Sequence, residues 1–265
     1  MALHPYVARQ AWHWATRPLR RGVQQWLRKN RDSMTVGQLV PGRGRRALML
    51  VAHPVDILFC LGMVAELKAN QFEVAAASLT RGEGGDPGQS VRERLGTVRE
   101  RELRACLALF GIDRVNFLGY IDPPRNGGFA RPPEFLPKKL ETDICDQIKR
   151  FNADLVVSHG STGEGWQPAN LIVHRFVRRS LRLRGRDGQK IPRLVTMAAA
   201  TEATADFPWQ NVDDVADLAI DATPHDALRR QAIDAQATGH AFLESIAGSI
   251  ESFLSATATE AYRVW

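Results

Sequence analysis

The stretch ALMLVAHPVDILFCLG, residues 47–62, decides the fold. Leu48 to Ala52 is a short apolar run with the length and composition of a strand buried on both faces. It stops at His53-Pro54, because proline offers no donor to a ladder and biases the residue before it away from helical geometry. Beyond the break Leu58, Leu61, Val64, Ala65 and Leu67 recur three or four apart, which predicts a helix. Strand, break and helix put His53 and Asp56 at the carboxyl end of a parallel strand, where open α/β sheets hold their ligands.

Working outward, the same alternation repeats. A second strand is expected over Phe72–Leu79, followed by a glycine-rich loop, Thr80 to Gly88, and a helix over Val91–Phe110 with Gly111 as its C-cap. Strands follow at Arg114–Leu118, Ala153–Ser158 and Arg193–Ala200. Helices are expected at Leu140–Phe151, Leu171–Arg184, His225–Gly239 and Ala241–Leu254. Residues 123–137 hold five prolines and read as an irregular loop. Alternation of this kind predicts a Rossmann-like three-layer α/β/α domain with a mostly parallel sheet.

At 265 residues the chain suffices for one well-buried domain of this class, assigned to residues 41–265. Residues 1–40 read as a basic, amphipathic, helical N-terminal extension. Ala8, Ala11, Trp12, Ala15, Leu19, Val23, Trp26 and Leu27 follow helical spacing, with arginines between them and a kink at Pro18. Residues 1–46 hold ten of the 35 basic residues and one of the 29 acidic ones, leaving 25 against 28 for the rest. The net charge of +6 therefore belongs to the arm, and by charge the body is not a nucleic-acid-binding domain. Such an arm either packs on this domain or a second subunit, or lies on an anionic membrane surface. Three widely spaced cysteines without a C-x-x-C pair, and no apolar signal-peptide core, lead us to expect a cytoplasmic protein, peripheral at the membrane if the arm docks there.

The sequence AHPVDI at Ala52–Ile57 resembles the first motif of the PIG-L/LmbE-like de-N-acetylases, zinc hydrolases whose pattern is Ala-His-Pro-Asp-Asp-Glu. Further segments match the family in order. They are TRGEGG at 80–85, Arg99-x-x-Glu102-Leu103, Leu118-Gly119-Tyr120-x-Asp122, the run Asp154 to Gly160, and the closing ALRRQA at 227–232 with TEAY at 259–262. The resemblance covers about residues 47–263. It implies that His53, Asp56 and a third residue bind the metal, that a carboxylate between His53 and Asp56 acts as general base, and that a histidine stabilises the oxyanion. It also implies substrate contacts at Arg81 and Asp122.

This chain departs from that pattern at the positions that matter most. Val55 stands where the base is expected, and valine accepts no proton. Gln167-Pro168-Ala169-Asn170 fills the place of the second motif, His-Pro-Asp-His. Gln167 thus replaces the oxyanion histidine and Asn170 the third ligand, and an amide is a poorer zinc donor than imidazole. Zinc is accordingly doubtful. Glu83, Asp86, His159, Glu164 and His174 all fall near the mouth of the sheet, and Glu164, in a glycine-flanked loop, is the candidate for a substitute base. Arg81, Glu83, Asp122 and His159 are the candidate substrate contacts. Plainer roles stand beside these: His53 as a strand-end cap, Asp56 as a helix N-cap, Arg81 and Glu83 as braces of the loop, His174 as a core residue.

Three readings follow. The chain is a pseudoenzyme or strongly weakened deacetylase that binds an amino-sugar or glycolipid ligand or a partner. Alternatively it is an active metal-dependent hydrolase of N-acyl amino-sugar conjugates with a displaced base. The third is an interaction protein with a vestigial cleft, docking on membrane or on another subunit through its arm.

Overall fold

A computed structural model of the chain describes residues 15–16, 34–42, 44–85, 92–124, 130–200 and 209–265. A seven-stranded sheet runs through its centre in the order β3-β2-β1-β4-β5-β9-β8. These strands are β1 (Arg46–Val51), β2 (Glu73–Thr80), β3 (Val115–Tyr120), β4 (Leu155–Ser158), β5 (Arg193–Thr196), β8 (Leu218–Asp221) and β9 (Thr259–Val264). The first five are parallel, whereas β9 runs antiparallel to both β5 and β8. Two short strands, β6 (Ala199–Ala200) and β7 (Asn211–Val215), pair separately.

The apolar run that opened the reading is β1. Met49 pairs with Ala76 on one side and Val157 on the other. Alternate residues of a strand face opposite ways, so Met49 and Val51 join one core cluster and Leu48 and Leu50 the other. Helices α1 (Leu61–Ala69), α2 (Arg92–Ala108) and α7 (Ile250–Ala256) contribute to the first cluster, with Leu67, Leu103 and Phe253. Helices α3 (Pro137–Phe151) and α4 (Pro168–Arg186) cover the second, with Ile144, Ile148, Val173 and Val177. The sheet is thus covered on both faces, as expected for a three-layer α/β fold. The strand order reverses between β1 and β4, which opens a crevice at their carboxyl ends.

Several boundaries differ from expectation. The chain leaves β1 through a 3₁₀ segment, Pro54–Cys60, before α1 begins. Its tighter winding lets the Asp56 carboxylate reach back to the His53 amide at 2.7 Å. The strand expected over Arg193–Ala200 is cut by Ala198, which sits in the left-handed region at φ 57°. The expected His225–Gly239 helix is α5 (Asp226–Asp234) followed by a 3₁₀ turn, and Ala241–Leu254 divides into α6 (His240–Ala247) and α7 at Gly248, φ 86°. Strands β7, β8 and β9 carry no clear alternation in the sequence and were not expected.

Met34 bridges to Leu218, and Val36 and Leu39 are buried in the first core cluster. The packed body therefore includes at least Met34, rather than starting at residue 41. The rest of the proposed helical arm lies outside the described residues, apart from a helical Ala15–Thr16 pair. The expected helix start at Val91 and the end of the glycine-rich loop also fall outside them. Among the described residues no helix is long and apolar enough to cross a membrane.

Candidate functional site

His53 ends β1 as the N-cap of the 3₁₀ segment. Its backbone N–H donates to Asp56 Oδ2, and its ring Nδ1 lies 3.2 Å from the same oxygen. On its other side Nε2 is 3.5 Å from Asp122 Oδ1, at the end of β3. Burial opposes a charge on this imidazole, but the Asp122 and Asp56 carboxylates overcome it and push the pKa up to about 10. Burial likewise opposes the charge on Asp56, yet His53 holds its carboxyl well below the usual range. Asp122 is also held low, chiefly by His53 against burial, and accepts the Gly84 amide at 3.2 Å. His53 is thereby an imidazolium clamped between two carboxylates.

Beneath this lies a second, fully buried network. The Ala52 N–H donates to His159 Nε2 at 2.8 Å. That bond requires a lone pair on Nε2, so the ring proton resides on Nδ1, which meets Glu164 Oε2 at 2.5 Å. The Glu164 and Asp56 carboxylates raise the proton affinity of His159 against its burial. The Ala52 amide nevertheless fixes the neutral tautomer. Glu164 also accepts the Gly160 amide at 2.7 Å, Asn211 Nδ2 at 2.9 Å and Asn170 Nδ2 at 3.0 Å. Two adjacent positive-φ residues, Glu164 at 43° and Gly165 at 80°, turn this carboxylate inward.

Above the network a cavity of about 400 Å³ opens at the carboxyl ends of β1 and β4. Its polar side is formed by His53, Asp56, Asp122, Arg99 and Gln167. Val55, Ala169, Trp209 and Phe242 line the remainder. Trp209 and Phe242 meet edge to face with ring centroids 5.2 Å apart, giving one wall a firm aromatic surface.

The structure therefore gathers five of the candidates around one cavity: His53, Val55, Asp56, Asp122 and Gln167. Asp86 lies outside the described residues, and the other described candidates do not line it. Arg81 and Glu83 pair at 3.0 Å, and Glu83 Oε2 accepts the Arg81 and Asp122 amides, so this pair braces the loop and holds Asp122. His159 is fully buried, its ring held between the Ala52 amide and Glu164. Glu164 is 3% exposed and its two oxygens already receive four donors, which leaves it no path to a substrate water. His174 is a buried support whose Nδ1 lies 2.9 Å from the His159 carbonyl.

Arg99, Thr238 and the aromatic wall escaped the sequence reading. Arg99 donates to the Gly82 carbonyl and to Thr238 Oγ1, while Glu102 accepts from the Thr238 amide and hydroxyl. One turn of α2 thus fastens the loop carrying Thr238 to the glycine-rich loop. The Arg99-x-x-Glu102 pair was visible as a motif, but its partner 136 residues away was not. Trp209 and Phe242 carried no signal.

The residues present do not fit a zinc ion. Asn170, at the third-ligand position, turns its amide nitrogen to Glu164, and its buried Oδ1 has no hydrogen-bond partner among the described residues. One imidazole, one carboxylate and a neutral amide oxygen make a weak set for zinc. Among the described residues no three His, Cys, Asp or Glu side chains form a metal-holding group.

Comparison with known proteins bears on this site. A deacetylase from Mycolicibacterium gilvum, named for 1D-myo-inositol 2-acetamido-2-deoxy-α-D-glucopyranoside, is 26% identical over 73% of this chain and 80% of its own. A probable N-acetyl-α-D-glucosaminyl L-malate deacetylase from Bacillus anthracis is 28% identical, over 45% of this chain and 57% of its own. The fold matches N,N'-diacetylchitobiose deacetylase from Pyrococcus horikoshii with a TM-score of 0.60 at 14% identity, covering 96% of this chain and 92% of that one. It also matches the 4-carboxy-2-hydroxymuconate hydratase GalB from Pseudomonas putida KT2440, with a TM-score of 0.58 at 16% identity, over 83% and 95%. One architecture thus hosts amide hydrolysis and hydration, and the reaction has to be argued from the site. The family model described as PIG-L: GlcNAc-PI de-N-acetylase matches residues 48–181, half of the sequence and all of the strands that build the crevice floor, and the chain belongs to this family.

Proposed function

We propose that this chain is a PIG-L-family protein that binds an N-acyl amino sugar, free or as a glycoconjugate, and hydrolyses it slowly or not at all. One observation carries the reading. The cavity persists at the family's site, but its wall presents Val55, Gln167 and Ala169 where the pattern calls for a base, an oxyanion donor and a supporting carboxylate. A positioned general base contributes roughly 10²–10⁴-fold to rate, and Val55 supplies none of it. Binding needs less. Asp122, Arg99 and the Gln167 amide offer polar groups to sugar hydroxyls, and the Trp209–Phe242 wall offers a flat apolar face to a pyranose ring.

The residues that remain have definite tasks. Asp56 and Asp122 orient His53, and His53, as a cation donor, can bind a carbonyl or phosphate oxygen of the ligand. Gln167 can donate a neutral hydrogen bond to an acyl oxygen. A slow hydrolytic activity, if present, has Asp122 as its base: besides Asp56 it is the one carboxylate that lines the cavity among the described residues.

Titration calorimetry with 1D-myo-inositol 2-acetamido-2-deoxy-α-D-glucopyranoside tests binding, and release of free amine tests turnover. The expected result is saturable binding with the acetyl group intact, and less than stoichiometric zinc after dialysis. Replacing Val55→Asp, Gln167→His and Asn170→His together should raise both zinc retention and turnover. Stoichiometric zinc and rapid amine release by the wild-type chain would overturn the proposal.

A further inference from the structure

Helix α4 carries six arginines and no acidic residue between Pro168 and Arg186. Two are engaged with the protein: Arg179 Nε bonds Glu141 at 2.9 Å, and Arg184 donates to the Lys190 carbonyl at 3.0 and 3.1 Å. The other four, Arg175, Arg178, Arg182 and Arg186, recur three or four apart and share one side of the helix. Among the described residues none of them has a carboxylate partner. Burial and the neighbouring Arg182 and Arg263 together depress the pKa of Arg178, and Asp214, which Arg263 bonds at 3.3 Å, offsets them only in part.

Trp265 sits beside this stripe. Its ring centroid is 4.0 Å from the Arg178 guanidinium carbon and 3.8 Å from that of Arg263. Two guanidinium groups at that range cannot share one ring face, so they take opposite faces. The indole Nε1 donates to Thr196 Oγ1 at 3.0 Å, which fixes the ring to the edge of β5. Of the large apolar side chains exposed among the described residues, Trp265 is at the stripe and Ile191 beside it. Ile191 lies against Gly185 of the helix itself.

We propose that this face, with Arg175, Arg178, Arg182 and Arg263 around Trp265, docks the protein on an anionic lipid surface. Guanidinium groups meet the headgroup phosphates, while Ile191 reaches the boundary with the acyl chains and Trp265 holds Arg178 and Arg263 in place. Nucleic acid fits the face less well. Both faces of Trp265 are already covered, so no base can stack on it, and the exposed aliphatic side chains have nothing to meet on a phosphodiester backbone. The basic residues 1–46 do not complement it either, since they carry the same sign of charge. The proposal stands whatever the cavity holds, although Pro168 and Ala169 at the head of α4 line that cavity.

Vesicle flotation of the full chain tests it, using phosphatidylcholine alone and with roughly 30% phosphatidylglycerol added. Only the anionic vesicles should carry the protein. Each interfacial arginine contributes roughly fivefold, so Arg175→Gln/Arg178→Gln/Arg182→Gln should weaken binding about a hundredfold while the circular dichroism spectrum stays that of the folded chain. A second variant, Ile191→Ser, tests the apolar part and should lose roughly fivefold. Equal binding to neutral vesicles, or wild-type binding by the folded triple variant, would overturn the proposal. So would tighter binding to a duplex oligonucleotide than to the anionic vesicles, lost in the same variant.

Discussion

Replacing Glu164 by Gln separates a buried strut from a catalytic base. In the native chain Oε1 receives the Gly160 amide and Asn211 Nδ2, and Oε2 receives His159 Nδ1 and Asn170 Nδ2. Glutamine offers an oxygen to only one of these pairs and sets an NH₂ against the donors of the other, whichever way it is flipped. His159 cannot escape by shifting its proton, because Nε2 already accepts from Ala52. At least two buried bonds to a charged acceptor are lost, each worth about 1.5–3 kcal/mol, so Glu164→Gln should destabilise the fold by about 3–6 kcal/mol. With a urea slope of roughly 3 kcal/mol/M, the unfolding midpoint should fall by about 1–2 M. Equilibrium urea unfolding at neutral pH reads this directly. A midpoint within about 0.2 M of wild type, combined with loss of amide hydrolysis, would refute the structural role and make Glu164 the displaced base.

Other consequences are equally concrete. A Cβ added at Gly160 would lie 2.1 Å from Asn211 Nδ2 and 2.2 Å from its Cγ, so Gly160→Ala should cost about 2–3 kcal/mol in thermal or urea unfolding. His53, raised from 6.5 to about 10, contributes stability that is complete below pH 6.5 and vanishes as pH climbs through about 10. Asp122→Asn should lower the His53 pKa and move that loss to lower pH, and a wild-type imidazole titrating near 6.5 by NMR would contradict the clamp. Glu260 accepts the Gly62 and Met63 amides and the Tyr262 hydroxyl, but burial still raises its pKa above 4.5. Its stabilising share is therefore greatest below pH 4.5 and declines as pH rises through the elevated value. Glu260→Gln should flatten this part of the stability–pH curve, and an unchanged curve would show that Glu260 is not its source.

The order of elements was legible because local signals and burial agreed. Leu48 to Ala52 is apolar on both faces of the strand it forms, and Pro54 forces the chain out of it. Where the agreement fails, so does the reading. Nothing in the neighbourhood of Ala198 announces a left-handed residue, and β9 is held by pairing with β5 and β8, which lie far from it in sequence. The substitutions at Val55, Gln167, Ala169 and Asn170 were visible as letters; the first three line the cavity and Asn170 does not.

By itself the sequence determined the α/β class and the family and pointed to the carboxyl end of β1, where the cavity lies, since these rest on short-range periodicity and motif order. Only the tertiary structure decided which polar groups line the cavity. Glu164 and His159 looked available from the chain but are consumed by each other, Asn170 and Asn211. Trp209 looked incidental and Arg99 stood out only as part of a motif, but both line the cavity. The physical reason is that a buried polar atom must find its partners in space, and those partners, such as Asn211 for Glu164, come from segments that no local pattern connects.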